Sequence, residues 1–324
     1  LAYSKALTNL NNDTSGYVKN DALIQYNHDY SVCTFSNREI YRRQVNGAIN
    51  DFYKGEITGK DYIGMSCDSA ISYKLDNFAP SEEKIITLFV YVNENSKNDV
   101  LRIDDEIERL KNLNIEVLKN EAKEYWNNYV KNHDILNISE KDLSYDIKKI
   151  YYRSILLFAL LINEKTGGIS AGIEIDENKT KCGRYSYCWP RDATFITEAF
   201  DIVGMSEYAD KFYSEFCRNT QYDNGMWEQR FYTDGNLAPS WGYQIDETAS
   251  VVFGAYAHYK TTRDKMFLND NLDMFEKAIC FLEKYLDDIF ENKNQMQKSY
   301  DLWEEYEGVS LYSLSAICAS FKSM

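Results

Sequence analysis

The chain has 324 residues, 44% of them hydrophobic and 15% aromatic, with a formal net charge of -15. That length exceeds what one hydrophobic core usually supports, so two domains are expected. The negative balance excludes phosphate neutralisation on nucleic acid and attraction to an anionic membrane, and it sets no penalty on a neutral polyhydroxyl substrate.

Residues 1–100 read as β-rich. Val18–Tyr30 mixes apolar and polar residues between Asn/Asp clusters, and Ser31–Ser36 alternates with period two, as does Tyr62–Cys67. Lys84–Val92 is apolar enough for a strand covered on both faces. An antiparallel β-sandwich portion is expected here. From Leu101 the period changes: Ile103, Ile107, Leu110, Leu113 and Val117 recur at helical spacing, so residues 101–140 read as a helical linker. After Asp146 the chain is predominantly helical. Ile147–Ile162 is apolar on more than one face and is expected to be a buried helix. Ala193–Val203, Ser206–Cys217, Thr248–Tyr259, Leu272–Phe290 and Ser310–Lys322 follow as helices. The loops between them are rich in Gly, Tyr and Trp, a rhythm that suggests helical hairpins with functional loops at one end.

The 27 tyrosines outnumber the 5 tryptophans. Part of that excess belongs on surfaces or in a cleft, because a buried phenol needs a partner. Seven cysteines with no C-x-x-C spacing read as free thiols in a reducing compartment, so a cytoplasmic location is favoured over a secreted one. His28, His133 and His258 are isolated in sequence, which gives no zinc-site spacing. No apolar run is long enough to span a bilayer, and no basic-then-apolar leader opens the chain, which begins at Leu1.

Four of the tryptophans fall in the loops. In Gly183–Asp192, Tyr185, Tyr187 and Trp189 alternate and so project to one side of an extended segment. Pro190 keeps Trp189 extended and fixes a helix start, which puts Arg191 and Asp192 at a helix N-terminus. The pair offers a fork of donors and two acceptors to neighbouring sugar hydroxyls; alternatively Asp192 caps the helix and Arg191 forms a salt bridge. In Pro239–Thr248, Trp241 precedes Gly242, which leaves the ring uncovered, and Asp246 has the character of an N-cap. Ser299–Gly308 packs four carboxylates and three aromatic rings with no basic side chain between Tyr300 and Gly308. Such a stretch is either a sugar site, where rings cover a pyranose face and a carboxyl donates a proton, or a solvated acidic turn packed on a core tryptophan.

The ordered motifs Tyr185-x-Tyr187-x-Trp189-x-Arg191-Asp192, Trp241-Gly242 and Asp301-Leu302-Trp303-Glu304-Glu305 resemble glycoside hydrolase family 15, the glucoamylase family. Gly167–Ala171 adds to the likeness with prokaryotic members. The resemblance implies an α+β multidomain chain: the C-terminal part of a β-sandwich in residues 1–100, a helical linker in 101–140, and the first half of an (α/α)6 barrel in 141–324. It implies inverting, exo-acting hydrolysis that releases glucose from the non-reducing ends of malto-oligosaccharides, starch or glycogen. By the same resemblance Glu304 is the general acid. Tyr185, Trp189, Arg191, Asp192, Trp241, Asp301, Trp303 and Glu305 bind substrate or support the acid loop. No cofactor, metal, nucleic acid or membrane partner is implied. Apolar Trp303 and Trp241 are expected to raise the Glu304 pKa by desolvation.

An inverting enzyme also needs a second carboxylate roughly 6.5–9.5 Å from the acid. In the family that base lies far beyond the acid motif. The chain is therefore expected to be an internal fragment without its base, inactive alone, with exposed apolar helix faces that favour self-association. A sibling reading changes the bond to trehalose or an α-1,6-glucan, and a different class of reading makes the chain a non-catalytic carbohydrate-binding scaffold.

Overall fold

The computed structural model describes residues 2–4, 15–26, 30–45, 47–57, 68–94, 103–173, 185–240, 242–291 and 299–324. The chain divides into two compact units, Leu1–Glu121 and Ala122–Met324.

The first unit holds two antiparallel sheets. One is built from β1 (Ala2–Ser4), β5 (Arg42–Val45) and β6 (Ser69–Ser72) in the order β1-β6-β5. The other orders β2 (Ser15–Lys19), β3 (Ala22–Tyr26), β4 (Tyr30–Ser36) and β7 (Leu88–Glu94) as β2-β3-β4-β7. Asn20 and Asp21 join β2 to β3 with φ of 50° and 55°, the left-handed pair whose twist matches a two-residue hairpin. Leu23 of the four-stranded sheet clusters with Val45 and Ile71 of the three-stranded one. On the opposite face, Ile24, Cys33 and Phe35 meet Ile103 and Ile107 of α2 (Ile103–Lys111). A short helix, α1 (Ala48–Lys54), lies beside β6 with Ala48 buried near Ala70.

Two expectations for this unit change. β7 is not covered on both faces: Phe89 and Tyr91 pack on the α2 cluster, but Leu88, Val90 and Val92 on the other face are exposed, and among the described residues no element packs on them. The expected strand at Tyr62–Cys67 lies outside the described residues.

The unit boundary falls within α3 (Ile115–His133). The second unit is helical: α4 (Tyr145–Leu161), α5 (Pro190–Ile202), α6 (Ser206–Lys211), a π-helical turn at Phe212–Cys217 leading into α7 (Arg218–Thr220), α8 (Ile245–Thr262), α9 (Lys265–Glu291) and α10 (Leu311–Ser323). α8 is the axis of this unit. Its Val251, Val252 and Ala255 join Phe200, Phe212, Phe216, Trp227 and Met274 in the main core. Its Ile245 and Ala249 join Leu282, Tyr285 and Ile317 in a second cluster. α8 packs tightly at Gly254, where a Cβ would fall 2.1 Å from Thr194 Cγ2 and 2.6 Å from the Tyr213 hydroxyl. α4 departs from expectation. Ile155 and Leu161 are buried, whereas Ile147, Ile150, Leu157 and Leu160 are exposed. Phe158 meets Phe200 edge-on at 5.2 Å, so one face docks on α5, and among the described residues nothing covers the other.

A buried polar contact ties three helices. His258 of α8 places Nδ1 2.9 Å from both carboxylate oxygens of Asp201 on α5, and Nε2 3.0 Å from Asp210 Oδ1 on α6. Both ring nitrogens face acceptors, which only the imidazolium satisfies. Burial pushes the His258 pKa down, but the two carboxylates outweigh it and raise it to about 9.

Cys33, Cys188 and Cys217 are buried free thiols, and Cys280 and Cys318 are exposed ones. Among the described residues no helix is long and apolar enough to cross a membrane, and no group of three or more His, Cys, Asp or Glu is placed to hold a metal ion.

Candidate active site

Four segments of the second unit converge at the N-terminal ends of α5 and α8. The first is extended. Ala171 N–H donates to Tyr187 O and Gly172 N–H to Tyr185 O, each at 2.8 Å, while Cys188 exchanges bonds with Phe231 on the other side. This pinning realises the expected alternation. Cys188 enters the core, and Tyr187 and Trp189 pack together at 5.9 Å with Tyr185 6.3 Å from Trp189. Tyr185 is 46% exposed, whereas Tyr187 and Trp189 are buried.

Trp189, with ψ of 123°, is the N-cap of α5, and Pro190 opens the helix. Asp192 therefore does not cap. The helix start is held by a residue from α8: Glu247 Oε2 accepts the Arg191 backbone N–H at 2.7 Å. The Arg191 guanidinium is buried among three carboxylates. Nη1 is 2.9 Å from Asp246 Oδ2 and 2.9 Å from Glu247 Oε1, and Nη2 is 3.1 Å from the partly exposed Asp192 Oδ2. Burial holds the Glu247 carboxyl well above its ordinary range, against Arg191, which draws it down. Asp246 is likewise not the N-cap expected from sequence. Gln244 occupies that position, and Ile245 N–H is accepted by Ser299 Oγ at 3.0 Å. Asp246 sits inside the first turn, fully buried, because its carboxylate is committed to Arg191.

The acid motif forms a hairpin, β8 (Ser299–Tyr300) and β9 (Glu307–Gly308). Asp301 organises its turn. Its backbone N–H donates to Tyr306 O at 2.9 Å, its carbonyl accepts from Glu304 N–H at 3.0 Å, and its Oδ1 accepts from Glu305 N–H at 2.8 Å and Tyr306 N–H at 3.0 Å. These bonds hold the Asp301 carboxyl below the usual carboxylate range, the one from Tyr306 most strongly. The hairpin docks on the α8 start through Tyr300 N–H to Tyr243 O at 2.7 Å. Gly242 permits this: a Cβ there would fall 2.0 Å from Tyr300 Cδ2. The glycine thus admits the acid hairpin, a use other than uncovering Trp241, which lies outside the described residues.

Glu304 has φ of 60°, a left-handed conformation that a non-glycine residue adopts at a cost of about 1–2 kcal/mol. Its Oε1 accepts from Gln229 Nε2 at 2.9 Å. Desolvation raises the Glu304 pKa. Arg230, the Trp189 indole and Arg191 draw it down by smaller amounts, and Asp192 adds to the rise. Of the two tryptophans expected to desolvate it, Trp241 lies outside the described residues. Trp303 is 76% exposed, since the left-handed turn at the next residue directs it outward, and the side chains against the carboxyl are Gln229 and Trp189. Glu305 is exposed and joins the turn through its backbone. The fold thus brings Trp189, Arg191, Asp192 and Glu304 into electrostatic contact, with Tyr185 beside Trp189, and turns Trp303 and Glu305 to solvent.

Sequence reasoning missed three residues of this site. Arg230 is buried with its guanidinium 5.0 Å from the Tyr187 ring and 5.3 Å from Trp189, its Nε donating to Pro239 O at 2.6 Å. Gln229 and Gln244 are fully buried. A glutamine or arginine in a Gly- and aromatic-rich loop carries no periodic signal.

A half-buried carboxyl, a guanidinium among carboxylates and a wall of aromatic rings thus lie together at the N-terminal ends of packed helices. The chain is similar in structure to a bacterial glucoamylase solved in complex with acarbose, with a TM-score of 0.65 and 16% identity, covering 96% of this chain and 45% of that one. In sequence it is 26% identical over 320 residues to a Methanocaldococcus jannaschii protein described as an uncharacterized glycosyl hydrolase, covering 96% of this chain and 48% of the relative. The chain therefore spans about half the length of each. No family model matches it.

Proposed function

We propose that this chain carries the proton-donor side of a glycoside hydrolase of the glucoamylase type, family 15 in character, acting with inversion on α-glucosidic bonds at non-reducing ends. The observation that carries the reading is Glu304: a carboxyl desolvated enough to hold its proton above the ordinary range, on a strained turn, within electrostatic reach of Arg191 and Asp192. In this reading Glu304 protonates the glycosidic oxygen as the bond to the anomeric carbon breaks. Arg191 and Asp192 hold adjacent hydroxyls of the terminal glucose. Tyr185 and Trp189 cover its apolar face, Asp301 shapes the acid turn, Trp303 and Glu305 contribute from the rim, and Trp241 is assigned to substrate binding. Water attack from the opposite face needs a carboxylate that we assign to no residue of this chain. The two units would then be a β-sandwich and part of an (α/α)6 barrel. Malto-oligosaccharides, starch or glycogen are the proposed substrates.

Proton NMR of maltotriose with the full-length natural protein tests this. Early β-glucose that later mutarotates is the expected result, with Glu304→Gln lowering turnover by about 10²–10⁴-fold, the usual worth of general acid catalysis. No glucose from maltotriose, trehalose or isomaltose would overturn the hydrolase reading. Oligosaccharide affinity that survives Glu304→Gln in an inactive protein would identify a carbohydrate-binding scaffold instead.

A further inference from the structure

The side chains behind Glu304 form a relay whose direction is fixed by its far end. Gln244 Nε2 donates to the Asp301 backbone carbonyl at 2.7 Å. A carbonyl only accepts, so the atom of Gln244 facing it is the nitrogen, and the oxygen of Gln244 faces the other way. That oxygen lies 3.1 Å from Gln229 Nε2. It needs a donor, which fixes the Gln229 amide in turn. The second N–H of the same nitrogen then points to Glu304 Oε1 at 2.9 Å. Reversing the Gln229 amide would set two oxygens 3.1 Å apart and give no acceptor to its nitrogen. The orientation carries a penalty: among the described residues, Gln229 Oε1 is buried with no hydrogen-bond partner. A buried carbonyl left unpaired is retained where another constraint demands it.

We infer that the Gln244–Gln229 relay, anchored on the Asp301 carbonyl, makes Glu304 Oε1 an obligate acceptor and thereby assigns the transferable proton to Oε2. Gln229 and Gln244 are positioning residues. They neither donate nor accept the reacting proton, but they select which oxygen carries it and hold the carboxyl plane still. Because the relay starts on Asp301 and ends on Glu304, it also ties the two ends of the acid turn through the protein interior. This inference rests on the reading of Glu304 as proton donor, and its test does not depend on turnover.

The test measures the Glu304 carboxyl directly, by ¹³C NMR of full-length protein labelled at glutamate Cδ, with the resonance identified by its loss in Glu304→Gln. A donor to Oε1 favours the carboxylate, so removing it in Gln229→Met raises the Glu304 pKa by about one unit. The decisive variant is Gln244→Met, which does not touch Glu304. It frees the Gln229 amide to turn over, and it is expected to raise the pKa to the same extent, with the double variant no further shifted. Kinetically, kcat on maltotriose falls about tenfold in each with KM unchanged, as expected for loss of orientation, and the basic limb of the pH profile follows the NMR value. Should Gln229→Met not fold, by its circular dichroism, Gln229→Leu removes the donor with an uncharged side chain of similar size, with the same upward shift expected. An unshifted Glu304 in Gln244→Met beside a shifted one in Gln229→Met would overturn the relay, as would no shift in either. An inactive wild-type protein with both shifts present would instead overturn the hydrolase reading and leave the relay standing.

Discussion

Replacing His258 with Gln isolates an ionic contact whose worth can be set against pH. The imidazole is buried, faces Asp201 and Asp210 through its two nitrogens, and is lined by Tyr213 and Phe267. Its pKa rises from 6.5 to about 9 on folding. At about 1.4 kcal/mol per pKa unit, that corresponds to on the order of 3 kcal/mol. Asp210 is 43% exposed on its side chain, so solvent screens its share and on the order of 2–3 kcal/mol remains. A group whose pKa is raised by folding contributes fully below its unfolded value and loses that contribution as pH rises through the folded one. The contribution is therefore present at pH 6 and gone by pH 10. The assay is urea unfolding at both pH values, followed by tryptophan fluorescence, since Trp227 lies in the same core. Wild type minus His258→Gln should shrink by on the order of 2–3 kcal/mol between pH 6 and pH 10, while the slope with urea stays constant. Equal pH dependence in the two proteins would refute an imidazolium at this position, and the neutral tautomer would have to be reconsidered.

Further expectations concern the helix crossing and the buried guanidinium. Arg191→Ala leaves two buried carboxylates, Asp246 and Glu247, without their cation and the helix start without its packing. It should destabilise by about 3–5 kcal/mol, read as a fall in the urea midpoint. Gly254→Ala inserts a methyl where Thr194 Cγ2 lies 2.1 Å away, and a loss of about 1–3 kcal/mol in thermal or urea unfolding is expected.

Features written by local chemistry were legible in the sequence. The alternation of Tyr185, Tyr187 and Trp189, with Pro190 closing the segment, dictates one-sided projection and a helix start, and the chain does this. Most helix periods after Asp146 fall near their observed bounds for the same reason, but α9 begins at Lys265 rather than at the expected Leu272, and the expected Ser206–Cys217 helix turns π-helical from Phe212. What depends on distant partners was not legible. Asp246 has the composition of an N-cap, yet Arg191 claims its carboxylate from 55 residues away. Gln229 meets Glu304 across 75 residues and Gln244 meets the Asp301 carbonyl across 57, and no periodicity encodes such meetings. Adjacency in sequence suggests that Trp303 desolvates Glu304, but beside the left-handed backbone of Glu304 the Trp303 ring lies in solvent. α4 shows the complementary limit. Its apolar content reports a capacity for burial on several faces, not whether an element lies against each of them.

The left-handed backbone at Glu304 has a consequence for how this chain drifts under mutation. At that position the residue that folding prefers, a glycine or an asparagine, differs from the glutamate that the proposed proton donation requires. Replacement of Glu304 by glycine or asparagine therefore relaxes the turn, whereas replacement of a residue such as Arg191 breaks a buried contact. A copy of the gene freed from selection for chemistry would find its easiest gain in stability at the acid itself. On the proposed reading of Glu304 as proton donor, decay of activity on this scaffold is thus expected to begin there and to leave a sturdier protein behind, with the aromatic wall and the arginine clamp still in place.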